Sequence, residues 1–482
     1  MSLQKLAFKG AMWLALFQFA SQLFSWTITV LVARILSPSD YGLIEMATII
    51  TGYAAFFVDL GLGAAIIQKK NINKQELSSV FWFVLALSIT LSFACYFSAQ
   101  YMALLFNEPR IQPLVEVISF VFPIAGLLVV PSSLLNKNME FKAIGIIGMI
   151  STVASCTGML LIAINGGGVW TLVGGMFIQS ITRLIATYIK VKWYPLIYFN
   201  YQQAKSYIHF GVNVLAGRTF FYTFEKSDKF FAGRAWSAQT LGFYGFALQL
   251  AQIPTEKITT LINQVSYPVF SKLQDNKVEF SEFYLNVVKV TAVMVTPVFV
   301  GGYLLGEDII KFLLNEKWYP IIYVFKLLCL TQIITSLNAV NSFVHYAQGR
   351  PIWSLYFHAI LAVGMGVSFY FAVPHGIDSI VIPWFTTYLL ICGAWTIVTL
   401  KKIDISIRMY IKNIISPFAG ALVMIIGLIF VEFLLNEITL DDEAWLILML
   451  PLKIFIGGVL YVSYLWLFDR EIFVKIKELR SA

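Results

Sequence analysis

Apolar residues in this chain neither alternate nor keep to one helical face; they run on for about twenty residues before charged or turn-forming residues interrupt them. A run of about 20 apolar residues is what one helix needs to cross the hydrocarbon core of a bilayer. Such runs lie near 10–33, 41–67, 77–100, 111–131, 142–164 and 168–189. After the basic, aromatic stretch KVKWYPLIYFNYQQAK they resume near 206–230, 240–265, 282–305, 319–343, 352–373, 377–400, 411–435 and 445–467. The pattern predicts an all-α polytopic membrane protein with about fourteen transmembrane helices. The longest connector is about 17 residues, which leaves no room for a separate soluble domain.

Composition agrees. Of 482 residues 59% are hydrophobic and 12% charged, with a mean hydropathy of +0.78. A soluble domain carries about 25% charged residues, so lipid is the solvent. The net charge of +8 is scattered between apolar runs, which speaks against a nucleic-acid partner. Its distribution is one-sided: with the N-terminus placed in the cytoplasm, 21 lysines and arginines fall in connectors on that side and 7 on the other. Basic residues accumulate on the cytoplasmic side of membrane proteins, so both termini are expected there. The N-terminal segment MSLQKLAFKG leads into an apolar run without a small-residue cleavage pattern, which reads as a retained first span. Cys95, Cys156, Cys329 and Cys392 share no metal-ligand spacing and read as buried, inert thiols.

The two halves resemble each other. ARILSPSDYGL has Arg34 eight residues before Gly42, and AGRAWSAQTLGFYG has Arg234 eight residues before Gly242. LLFNEPRIQP matches FLLNEKWYP, with Asn107-Glu108 against Asn315-Glu316. The offset of 200 to 208 residues covers six spans, and an even number implies parallel repeats, a construction common among transporters. The expected organisation is a first lobe over 1–205, a second over 206–410, and two further helices with a tail over 411–482.

Polar residues inside the spans fall at helical spacing. Gln18, Gln22, Ser25 and Thr29 share a face of span one; Glu45, Thr48, Gly52, Ala55 and Asp59 share one of span two. Span seven carries Arg218, Tyr222, Glu225 and Lys229, with Asp228 beside them, and span eight carries Gln249, Gln252, Glu256, Thr259 and Asn263. Span ten offers Gln332, Thr335, Asn338, Ser342 and His345. Amides and hydroxyls such as Gln18, Thr48 or Ser342 can simply tie helices together. A charge at the centre of a span costs about 2.5–3.5 kcal/mol on insertion scales and should face a cavity or a partner. Glu45, Asp59, Arg218, Glu256, Lys257 and Lys289 therefore mark a candidate hydrated cavity, and the polar stripes of spans one, two, seven and eight occupy equivalent positions in the two repeats. Lys326 and Lys453 are long enough to snorkel to an interface. His209, His345 and His358 do not cluster, and no phosphate loop or metal constellation is present.

These motifs resemble the polysaccharide-transporter branch of the multidrug/oligosaccharidyl-lipid/polysaccharide exporter superfamily, the Wzx-type flippases. The resemblance covers essentially the whole chain. It rests on ARILSPSDYGLIEMA, VDLGLGAAIIQ, LLNKNMEFK, DKFFAGRAWSAQTLGFYGFALQLAQIP, QVSYPVFSKLQ and LLNEKWYPI, and is nearest to exporters of colanic-acid and teichuronic-acid type polymers. It implies two pseudo-symmetric six-helix lobes plus two C-terminal helices in a bacterial cytoplasmic (inner) membrane. It also implies a central cationic cavity and alternating access without ATP or any other cofactor. The substrate implied is a polyprenyl-pyrophosphate-linked oligosaccharide, taken up from membrane lipid, with polymerase and chain-length proteins of a glycan assembly pathway as further partners. A cavity built from Gln18, Gln22, Glu45, Arg218, Tyr222, Glu225, Asp228, Lys229, Gln252, Lys257 and Lys289 is less cationic than that pattern. Asp59 and Glu256 become candidates for ion coupling or a gate.

Two other classes compete. A drug exporter of the same superfamily is favoured by twelve spans rather than fourteen. A membrane glycan polymerase or ligase commonly needs a large outer loop, and the outer connectors here reach only about 13 residues. Topology is directly testable. Reporter fusions at Asn107, Asn315 and Asn436 should read as external and one at Ala482 as internal; an external Ala482 refutes the arrangement.

Overall fold

The computed structural model describes residues 3–59, 62–69, 72–349, 351–435 and 442–471; among the helical residues, the side chains of 3–12, 14, 15, 59, 64, 206, 208–218, 351, 435 and 442–445 lie outside that description. Every regular element among the described residues is helical. The first half contains α1 (Leu3–Ile35), α2 (Pro38–Asp59), the short α3 (Leu62–Gln68), α4 (Lys74–Leu105), α5 (Ile111–Ile118), α6 (Val121–Lys137), α7 (Phe141–Ile164), α8 (Trp170–Val191) and α9 (Tyr201–Ala235). The second contains α10 (Ala238–Leu273), α11 (Lys277–Leu304), α12 (Gly306–Leu313), α13 (Ile322–Ala347), α14 (Pro351–Ala372), α15 (Leu389–Lys402), α16 (Ile407–Leu435) and α17 (Asp442–Phe468).

Twelve segments among the described residues are long and apolar enough to cross a membrane. The expected spans seven and eight are the two that do not qualify. Their helices, α9 and α10, have 35 and 36 residues, about 53 Å at 1.5 Å per residue; the continuous part of α9 whose side chains are described, 219–235, is by itself shorter than a span. They are simply the most polar of the long helices. The apolar run at 41–67 is covered by α2 and α3, with residues 60 and 61 between them outside the described residues.

Contacts divide the chain into two compact units, 1–242 and 243–482. In the first, α1 packs on α7 and α7 on α8, while α9 lies against α2, α3 and α4. The first unit therefore includes α9, which the repeat assigns to the second lobe. In the second unit α11 packs on α13 and α16, and α16 on α17. The core of each is aliphatic and aromatic, as around Val84, Phe81 and Phe122 in one and Phe270, Tyr284 and Val288 in the other. All four cysteines are buried and free.

The repeat continues below the level of whole spans. α4 starts on Asn73, whose side chain accepts from the Glu76 amide, and α11 starts on Asn276, whose side chain accepts from the Glu279 amide. These N-x-x-E starts are 203 residues apart, inside the 200–208 window (276 − 73 = 203). Each side chain satisfies one of the amide donors that a helix N-terminus leaves open. In the turn after α4, the Glu108 carboxylate accepts from Arg110 Nε at 2.8 Å and Nη2 at 2.7 Å. That hydrogen bonding holds the carboxyl below the usual carboxylate range. What the pair adds to stability is therefore present above the ordinary carboxylate pKa and is lost as pH falls through the lowered one.

Gly42 and Gly242, equivalent in the repeat, pack against each other. A Cβ on Gly42 would overlap the Ala238 carbonyl, and one on Gly242 would overlap the Pro38 carbonyl. Both obstacles are backbone, which no rotamer change can move. Gly42→Ala or Gly242→Ala should lower thermal stability in detergent by several degrees, whereas Gly148→Ala, which meets nothing within 4 Å, should not. Equal melting temperatures for all three would remove the crossing from the account.

Candidate functional site

The charged stripes of α2 and α9 face each other. Lys229 Nζ donates to Glu45 Oε1 at 2.7 Å, with side chains 10% and 17% exposed. Lys229 and Asp228 are buried, and Asp228 Oδ1 accepts from the Lys229 amide at 2.7 Å. One turn earlier Lys226 pairs with Glu225 at 3.1 Å, more openly. Two turns before Lys229 the buried Tyr222 hydroxyl donates to α2, with the Thr48 and Ile49 carbonyl oxygens at 3.1 and 2.7 Å. Gly52 makes room for it, since a Cβ there would stand 2.5 Å from the hydroxyl oxygen. Tyr53 and Phe56 pack on the Tyr222 ring, and Tyr53 reaches Thr219 across the same interface.

Tyr222 and Lys229, two turns apart on α9, thus meet α2 between Glu45 and Gly52. Glu45 is paired rather than facing water alone. In a low-dielectric setting that pairing offsets much of the desolvation penalty, and removing one partner alone costs about 3–5 kcal/mol.

The other expected site residues are placed differently. Arg218 and Asp59 lie on α9 and α2, and their side chains are outside the described residues. Gln18 is exposed and Gln22 half-buried on α1, which packs chiefly on α7. Gln252 is half-buried, and Glu256 and Lys257 exposed, on α10 in the second unit. Lys289 binds Asp469 Oδ1, just past the end of α17, at 2.7 Å. Lys453 does not snorkel. It is 3% exposed and donates to Asp308 Oδ2 at 2.9 Å, with Glu432 at 3.7 Å.

The stripe on α13 ties helices together. Gln332 accepts from Thr255 at 3.0 Å, Thr335 from Tyr388 at 3.2 Å, and His345 Nε2 meets Thr399 Oγ1 at 3.0 Å between the Trp353 and Trp395 rings. Asn341, off the expected stripe, accepts from the Tyr284 hydroxyl at 2.7 Å and donates to Thr396. The signal that could have found it was Asn338 plus three, one helical turn.

The profile of one family, described as Polysaccharide biosynthesis protein, matches residues 31–323, more than half of the chain. This chain belongs to the polysaccharide biosynthesis protein family. It is 24% identical over 425 residues to the teichuronic acid biosynthesis protein TuaB of Bacillus subtilis, covering 86% of this chain and 87% of the relative. To the lipopolysaccharide biosynthesis protein WzxC of Escherichia coli it is 25% identical over 362 residues, covering 74% and 70%. The fold is that of the lipid II flippase MurJ in an inward closed conformation, with a TM-score of 0.75 at 15% identity over 95% of this chain and 100% of that one. A multidrug resistance MATE family transporter of the MOP superfamily, inward-facing, gives 0.62 at 14% identity over 80% and 94%. The family profile spans α2, α9 and α10 entirely, so the Glu45–Lys229 contact lies within it.

The pair makes a stability prediction. Lys229→Met alone should destabilise the purified protein by about 3 kcal/mol, and the double variant Glu45→Gln with Lys229→Met should regain most of that. Thermal unfolding of the single and double variants checks it. An undisturbed single variant would mean that the two charges are solvated separately.

Proposed function

We propose that this chain is a carrier that moves polyprenyl-pyrophosphate-linked oligosaccharide units across the membrane from the cytoplasmic leaflet, by alternating access, without itself catalysing a covalent step. The observation that carries the reading is the charged, buried face shared by α2 and α9, built into helices of an otherwise apolar chain. Such a face is costly to build and characteristic of a transport path. Family membership supports the polymer class. The relatives carry the names of chemically unlike polymers: teichuronic acid, lipopolysaccharide and, for ExoT of Rhizobium meliloti, succinoglycan. What such substrates can share is the lipid carrier and its phosphates, so recognition is expected there rather than at the sugars.

Phosphate recognition points to Arg218. It stands four residues before Tyr222 on α9, and a guanidinium offers a planar, permanently charged fork to phosphate oxygens. Glu256, exposed on α10, and Asp59 remain the acids proposed for coupling to a proton or sodium gradient. One vesicle experiment tests both roles. Arg218→Ala should abolish movement of a polyprenyl-pyrophosphate oligosaccharide at normal protein levels, with partial recovery in Arg218→Lys. Glu256→Gln should keep substrate binding and lose the response to an imposed gradient. Unimpaired transport by Arg218→Ala removes the phosphate role, and a wild type indifferent to both gradients removes the coupling role.

A further inference from the structure

The connector between α8 and α9 has two faces. Lys192 ends α8 in the left-handed conformation (φ 52°), and the chain then runs without helix to Tyr201. Its inward face is pinned to the first two turns of α4. Ser78 Oγ accepts from the Leu196 amide at 2.9 Å, and Ser79 Oγ accepts from the Asn200 amide at 3.0 Å. Trp82 Nε1 donates to the Leu196 carbonyl at 2.7 Å. Both serines are fully buried and donate their own protons back to the Lys74 and Gln75 carbonyls. Trp193 packs against Phe81 in the core of the first unit. Asn200, held this way, caps α9 by accepting from the Gln202 amide.

The outward face is apolar. Tyr194 is 63% exposed, Ile197 101%, Phe199 53% and Tyr201 53%. A connector that merely crossed water would not keep Ile197 wholly exposed beside three exposed aromatic rings. Exposed lysines flank the strip, Lys192 before it and Lys205 after it. Tyrosine-rich strips bounded by lysine are suited to the headgroup layer, where rings bury their apolar bodies and ammonium groups meet lipid phosphates.

We propose that residues 193–201 form an interfacial strap that lies in the headgroup layer of an anionic phospholipid leaflet, pinned to α4 from behind. The strap joins two membrane-embedded helices, so its depth is bounded by theirs. Its backbone groups at Leu196 and Asn200 are satisfied from the protein side, which leaves side chains, not open amides, to meet the lipid. The charge of Lys192 and Lys205 complements phosphatidylglycerol or another acidic headgroup. This inference rests on the membrane-embedded fold and not on the substrate.

The test labels Ile197→Cys with a bimane fluorophore; the four native cysteines are buried and should stay unlabelled. The full chain is reconstituted in phosphatidylcholine–phosphatidylglycerol bilayers containing brominated lipids. Leu390→Cys, 73% exposed on a span, and Asn107→Cys, in the turn after α4, serve as references. The label at 197 should lose fluorescence within about twofold of the label at 390, and more to bromines near the headgroup than to bromines deep in the acyl chain. Quenching no greater than at 107 overturns the proposal. So does cross-linking of Ile197→Cys chains to one another in place of quenching, which would make the strip a contact between copies.

Discussion

A charge inside a helix bundle that faces lipid cannot be left to water, and this single restriction organises the two halves of the molecule. Lys229 reaches Glu45, Lys289 reaches Asp469, and Lys453 reaches Asp308, each within 3 Å. Every one of these contacts joins helices far apart in sequence. The first fastens α9 to α2. The second and third fasten the C-terminal helix α17 to α11 and α12. Because a half-pair is much worse than either a full pair or none, each contact specifies which helix must be the neighbour.

The pairs differ in what surrounds them. Around Glu45–Lys229 the interface is polar over three turns, with Asp228, the Tyr222 hydroxyl and the Lys226–Glu225 pair close by. Around Lys453 the further polar partner is Glu432 at 3.7 Å, and the contact ties α17 to α12 and α16 as a clamp. A path for a charged substrate has reason to use the first kind of surface. The proposed role of α9 thus follows from the density of polar groups on its face.

The run pattern made the all-helical membrane fold legible at once, since nothing except span length and hydropathy was needed. Two members of the stripe on α9 were legible too: Tyr222 and Lys229 share a face, and that face meets α2 at Ile49 and Glu45. The partners of the isolated lysines were not. Asp308 and Asp469 stand near helix ends, where an acid reads as an ordinary loop residue, and nothing in the local sequence of Lys453 or Lys289 points 145 or 180 residues away. Gln332, Thr335 and His345 sat on a stripe as polar as the others, yet they tie helices, because their partners Thr255, Tyr388 and Thr399 are themselves neutral. Spacing reveals a face; only the opposite helix decides what the face does.

The crossing of Gly42 and Gly242 has an evolutionary consequence. Duplicated halves ordinarily drift apart, because a change in one can be absorbed by a complementary side chain in the other. Here each glycine is confined by a carbonyl of the opposing helix, and a carbonyl has no smaller allele. Neither position offers a second-site suppressor within reach of point mutation. A larger residue at either position is therefore expected to be selected against for as long as the two helices cross here, a restriction that the exposed residues around the crossing do not share.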